Sequence, residues 1–361
     1  MKQLFYKTTI NTLLVLMTCV AFGQNKVSKE IKETARLSNN GQLFIENKYG
    51  DVFIDGWTRE TIEITVEIEA KGRNLEKAKE LLNRINPEIE TSGNVVMVKS
   101  HISEREQGFF SRYIKKVDAF NAEKTNTNIN YRIYLPKRAE IEVINKYGDV
   151  VITNWEGTLK ADVEHGDLRI TDAISNANIS IKYGHLKASS LSNVSINAKS
   201  GTLTIDASDR MKLESDGSEI RFEDIKNLEL YSNKDNIDVT KVGKISGDIK
   251  YSTVALDSLV SKANLELHLA ELRVRQCSEV PTLNINQNTS EVYVNIANSN
   301  FDFTAKLEQG VLRIPKTMKN IVSKVIDEKN KVRNVKANYG TANQGIIDVV
   351  GYKGLIILKE L

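Results

Sequence analysis

The chain has 361 residues, with 50 Lys plus Arg against 47 Asp plus Glu and a formal net charge of +3 at pH 7. So close a balance excludes a protein held on nucleic acid by bulk charge. An apolar content of 40% with 27% charged residues belongs to a folded globular chain, and two Cys, four Pro and 20 Gly exclude disulfide scaffolds, Pro-rich chains and collagen-like chains.

Residues 1–23 read as an export signal. Lys2 and Lys7 make a positive start, Ile10 to Val20 is an apolar run, and Ala21-Phe22-Gly23 sets small residues before a cut ahead of Gln24. The run is shorter than the roughly 20 residues of a bilayer-spanning helix. No later segment is apolar enough to span a membrane. Leu16-Met17-Thr18-Cys19 loosely resembles a lipobox, which leaves lipidation of Cys19 open. Cleavage would leave Cys277 without an intramolecular disulfide partner, in the strand context of a small core or flank residue. The mature chain is expected to be exported, to the periplasm, the outer-membrane surface or the extracellular space.

From residue 24 to 140 the pattern is mixed. Thr61 to Ile68 alternates as a strand. Asn74 to Ile85 predicts a helix with Asn74 as N-cap and Leu75, Ala78, Leu82 and Ile85 on one face. A loop is expected at 104–127, followed by a strand that stops at Pro136. This α+β segment would cap one end of the repeats that begin near residue 141.

The rest of the chain repeats. Asn47-Lys48-Tyr49-Gly50-Asp51-Val52-Phe53-Ile54-Asp55-Gly56-Trp57 returns as Asn145-Lys146-Tyr147-Gly148-Asp149-Val150-Val151-Ile152-Thr153-Asn154-Trp155. Shorter copies come next at His165-Gly166-Asp167-Leu168-Arg169-Ile170, Tyr183-Gly184-His185-Leu186-Lys187-Ala188 and Ser200-Gly201-Thr202-Leu203-Thr204-Ile205. Val150, Leu168, Leu186, Leu203, Ile220, Ile237, Val254, Leu272, Val292 and Leu312 form one apolar series. Ile152, Ile170, Ala188 and their successors to Ile314 form a second, two residues on. The residue between each pair is usually polar, which is the alternation of a strand with one buried face. These patterns predict an all-β fold: a single-stranded parallel β-helix, or β-solenoid, of about ten coils of 17–20 residues over 141–316. Gly at each corner would supply positive φ. Residues 317–361 would add C-terminal strands or a cap. The competing reading is an antiparallel sandwich, which does not demand the same columns at so regular a period.

The leader, the Gly-Asp-Val-x-Ile strand, the helical excursion, the return strand ending in Leu135-Pro136 and the serial Gly-Asp-(Val/Leu)-x-Ile coils resemble bacterial adhesin-like proteins related to the auto-transporter adhesin head domain family, also called GIN, a domain of unknown function. The resemblance spans roughly 40–358. It implies a β-solenoid in the envelope or on the surface of a Gram-negative bacterium and brings no catalytic residues. An autotransporter barrel has no counterpart in this sequence.

The candidate ligand surface consists of three ladders. Tyr147, His165 and Tyr183 precede successive corner glycines and would offer an aromatic strip to a sugar, or form a structural stack that stiffens the corner. Asp149, Asp167 and His185 come directly after those glycines and would hold Ca²⁺, act as an acid/base pair or stand solvated. Arg169 and Lys187 face outward and would meet an acidic polysaccharide or lipid head group, or belong to a mixed solvated face with Thr204 and Asp238 interleaved. Enzyme signatures and clustered Cys/His ligands do not appear, so no cofactor or metal is expected. The leading expectation is an exported, non-catalytic solenoid acting in adhesion, binding or scaffolding at the cell envelope. Its partner would be a glycan, an envelope polymer or an envelope protein, and not nucleic acid. The alternatives are a polysaccharide-active β-helix enzyme and a periplasmic accessory protein in envelope signalling.

Overall fold

A computed structural model describes residues 25–102, 126–341 and 344–360. The expected leader, Cys19 and all but the end of the expected 104–127 loop lie outside the described residues. The chain divides into two units. Among the described residues, one joins 25–30, 67–86, 102 and 126–128 and the other joins 31–66, 87–101 and the residues from 129 on.

The first unit carries the helix, Leu75–Arg84. The Asn74 side chain accepts the Lys77 N–H at 2.9 Å, which satisfies one of the free amides of the first turn. Ala78 is the residue this helix buries. Lys29 donates to the Ile85 carbonyl at 2.6 Å where the helix gives way to strand.

The second unit is a large, many-stranded, mixed sheet. Its central strands are Leu168–Lys182, His185–Lys199, Thr202–Asp216, Glu219–Asn233, Asn236–Lys250 and Thr253–His268. Each lies parallel to the next, one sequence repeat further on. Leu168 faces Leu186, then Leu203, Ile220, Ile237, Val254, Leu272 and Val292. All are buried. Each such Leu or Ile contributes about 1.5–3 kcal/mol through burial, and the column exists because alternation repeats at nearly constant length. Val150 stacks on Leu168, and Val52 stacks on Val150. The first copy of the long motif is therefore the rung beside the second, although the helical excursion separates them in sequence.

At the other end, two expectations are corrected. The column does not pass from Val292 to Leu312. Leu355–Lys359 inserts between them, with Ile356 facing both. Gly345–Tyr352 inserts likewise between Thr282–Asn288 and Phe301–Glu308. The physical reason is that a returning strand with the same alternation fits between two rungs without changing their sequence spacing. The sheet is also not wholly parallel. Val332–Tyr339 runs antiparallel to Phe301–Glu308 and to Lys319–Asp327.

Cys277 is buried, and desolvation pushes its thiol up to about 12. Because the thiolate is the reactive form, this cysteine is expected to resist iodoacetamide in the native protein at mildly alkaline pH and to label once guanidinium unfolds it. Rapid native labelling, located by peptide mass spectrometry, would contradict the packing. Among the described residues, no helix is long and apolar enough to cross a membrane.

Candidate functional site

Each repeat turns a corner between its buried strands, and the candidate side chains stand there. At Gly217 the glycine supplies the positive φ, as expected, but at five other corners it does not. There the residue before it does: Tyr49 (φ 68°), Tyr147 (61°), His165 (57°), Tyr183 (56°) and Ser200 (49°). At these five corners the role expected for glycine is corrected. Gly148, Gly166 and Gly184 are required because successive corners approach closely: a Cβ on Gly166 would lie 1.9 Å from the Gly148 carbonyl oxygen, and one on Gly184 would lie 1.9 Å from that of Gly166.

With the corners so close, their side chains stack. Tyr49, Tyr147, His165 and Tyr183 form a column of four rings. Their centroids are 5.4, 5.0 and 4.8 Å apart and the interplanar angles are 15° or less. Lys48 Nζ lies 4.7 Å from the Tyr49 ring centroid at one end. Tyr49 is buried, whereas Tyr183 is 48% exposed and leaves a free ring face. Stacked rings 4.5–7 Å apart contribute about 0.5–1.5 kcal/mol per pair beyond burial.

The aspartates form a second ladder. Asp51 Oδ1 accepts the Asp149 N–H at 2.8 Å, Asp149 Oδ1 accepts the Asp167 N–H at 2.9 Å, and Asp167 Oδ1 accepts the His185 N–H at 3.0 Å. His185 Nδ1 also lies 2.7 Å from Asp167 Oδ1. Each carboxylate thus satisfies the amide of the next corner. Asp167→Ala is expected to cost about 1 kcal/mol or less in urea unfolding, since water can replace an acceptor at an exposed amide.

Buried Asn side chains close the long motif from inside. Asn145 Nδ2 donates to the carbonyls of Gly50 at 3.1 Å and Gly148 at 2.8 Å, and Asn47 Nδ2 donates to Gly50 at 3.0 Å. Arg169 and Lys187 are neighbours in register on the outward face. Further along, the outward arginines Arg221 and Arg273 pair with Glu219 and Glu271 of their own strands.

Sequence reasoning missed Asp235. It stands one residue after positive-φ Lys234, in the corner position that Gly201 and Ser218 hold on earlier rungs, and it is 4% exposed. Oδ1 accepts Ser215 Oγ at 3.0 Å and the Ser218 N–H at 2.7 Å. Oδ2 accepts Ser232 Oγ at 2.6 Å and the Asn233 N–H at 3.1 Å. Burial raises the carboxyl above the ordinary Asp range, against these four donors. The signal was an acid in a column of small residues, visible only once the register is known.

Among the described residues, Asp248, Glu266 and His268 bring potential metal-ligand atoms within 4.8 Å of one another, but Lys250 Nζ already occupies Asp248 Oδ2 at 2.8 Å.

No family model matches the chain, and no curated protein matches it. Solved structures of proposed adhesins do. Those of Parabacteroides merdae and Parabacteroides distasonis are 9% and 7% identical, each covering 92% of this chain and 97% of that chain, with TM-scores of 0.35. A proposed cell adhesion protein of Clostridium sporogenes is 12% identical over 92% of this chain and 100% of that chain, with a TM-score of 0.19. At such TM-scores the likeness carries no functional argument, and function has to be read from the side chains themselves.

Proposed function

We propose that the chain is an exported β-solenoid whose function is non-catalytic binding or scaffolding at the bacterial cell envelope. The parallel in-register rungs from Val52 to Val292 support the solenoid reading, with the antiparallel hairpin as an elaboration of it. One observation carries the functional reading: the side chains that came nearest to a catalytic set, Asp149 and Asp167, are engaged in tying corner to corner. What remains outside are long ladders of polar and charged residues on a stiff backbone, suited to contact with an extended polymer. The ladder Tyr147, His165 and Tyr183, with Arg169 and Lys187 beside it, belongs to that surface. The apolar run before Gln24 supports export.

Cell fractionation with surface protease shaving, together with a glycan array and isolated envelopes probed with the purified mature chain, tests the proposal. Recovery in an envelope or external fraction with saturable binding is the expected result. A cytoplasmic chain with an intact N-terminus, or turnover of a polysaccharide abolished by Asp167→Ala, would overturn it.

A further inference from the structure

A shallow open groove of about 850 Å³ crosses the parallel strands beyond their midpoint. Its origin is a local break in alternation. On these strands two consecutive outward residues, such as Ser175 and Asn176, or three in Val260, Ser261 and Lys262, interrupt the pattern before a buried one returns. The returning residues Ala177, Val194, Met211, Leu228 and Ile245 form the floor. One wall is a single column in register: Asn176, Asn193, Arg210, Asn227, Lys244 and Lys262.

Two charges of this column lack a carboxylate partner. Lys244 and Lys262 face each other on adjacent strands, both exposed, and neither is ion-paired among the described residues. Arg210 donates to the neutral Asn193 Oδ1 at 2.9 Å. Like charges directly opposite on adjacent strands destabilise a sheet. On the outward ladder of the other stretch Arg221 pairs with Glu219 and Arg273 with Glu271, while Arg169 and Lys187 face each other as Lys244 and Lys262 do. Within the groove Glu229 is the one carboxylate, and it accepts from Tyr231 Oη at 2.7 Å.

We propose that this groove binds an acidic polysaccharide, which lies across the strands with its anionic groups on Arg210, Lys244 and Lys262 and its hydroxyls on Asn176, Asn193 and Asn227. The inference rests on the binding role proposed above and gives it a place and a ligand class. Strand spacing of about 4.8 Å is close to the length of one sugar ring along an extended chain, so successive rungs meet successive sugars. No aromatic ring lines the groove to stack bases, which argues against single-stranded nucleic acid.

Fluorescence anisotropy of a labelled polygalacturonate oligosaccharide with the mature chain tests this. Binding that weakens as salt rises is expected. Lys244→Gln with Lys262→Gln should weaken it at least about tenfold, the loss of two charge-assisted contacts, while Lys324→Gln with Lys329→Gln, away from the groove, should not change it. Unaltered affinity of the Lys244/Lys262 variant, or equal affinity for the fully methyl-esterified oligosaccharide, would overturn the proposal. Tighter binding of an oligothymidylate of equal charge would also overturn it and assign the groove to nucleic acid. If the Lys244/Lys262 variant lost nothing yet the chain still bound isolated envelopes, the groove assignment would fall while the general binding role stood.

Discussion

Gly166→Ala is expected to lower the unfolding free energy by about 3 kcal/mol, at the upper end of overpacking costs. The added methyl would lie 1.9 Å from the Gly148 carbonyl oxygen and 2.6 Å from its carbon. Both belong to the backbone of the neighbouring rung, so no side chain can swing aside. Relief requires two corners to part, which would also lengthen the Asp149-to-Asp167 hydrogen bond and open the Tyr147–His165 stack. Gly217→Ala is the informative comparison. Gly217 has φ 68°, and its added Cβ would find only Ser200 Oγ, at 3.7 Å. Its cost should be that of left-handed backbone alone, about 1–2 kcal/mol. Urea unfolding of the two variants side by side separates close approach from backbone conformation. Equal losses would mean that the corner spacing has been misread.

The second large effect is expected at Asp235. Removing its carboxylate by Asp235→Ala strands the Ser218 and Asn233 amides inside the corner, whereas the hydroxyls of Ser215 and Ser232 can turn to other acceptors. A buried donor left without a partner costs about 1–3 kcal/mol, so a loss of about 2–4 kcal/mol is expected for the pair. The effect depends on pH with a definite sign. The folded carboxyl is raised above its unfolded value, so the native state holds the proton more tightly. The stability this group contributes is therefore largest below the unfolded pKa of about 3.9 and falls as pH rises through the folded value. The cost of Asp235→Ala should be greater in acid than at neutrality. A cost that grew with pH would show that the four donors outweigh burial.

Different parts of this molecule were legible to different degrees. The buried columns through Leu168, Leu186 and Leu203 could be read directly, because alternation is local and a one-residue slip would turn every apolar side chain outward. The cap at Asn74 could be read because a capping side chain bonds within its own turn. That Tyr147, His165 and Tyr183 share one position was also visible. That they would stack to stiffen the corner was visible too; the ring angles and spacings were not, since the corner geometry sets them. The part played by Gly166 was misread for the same reason. A glycine in a turn suggests positive φ, and only the neighbouring backbone reveals that the missing Cβ is what matters.

The groove and the Asp235 network were harder still. Lys244 and Lys262 are distant enough in sequence that their repulsion is invisible until the strands are registered, and Ser215, Ser218, Ser232 and Asp235 converge from successive rungs. The C-terminal strands show the limit most clearly. Gly345–Tyr352 and Leu355–Lys359 alternate as well as any others, but nothing local says which rungs they separate. Alternation and repeat length alone determined which side chains point inward and that the strands recur. The tertiary structure alone decided which strand lies beside which, because pairing order depends on contacts between residues far apart along the chain, and the outer surfaces inherit their charge and shape from that order.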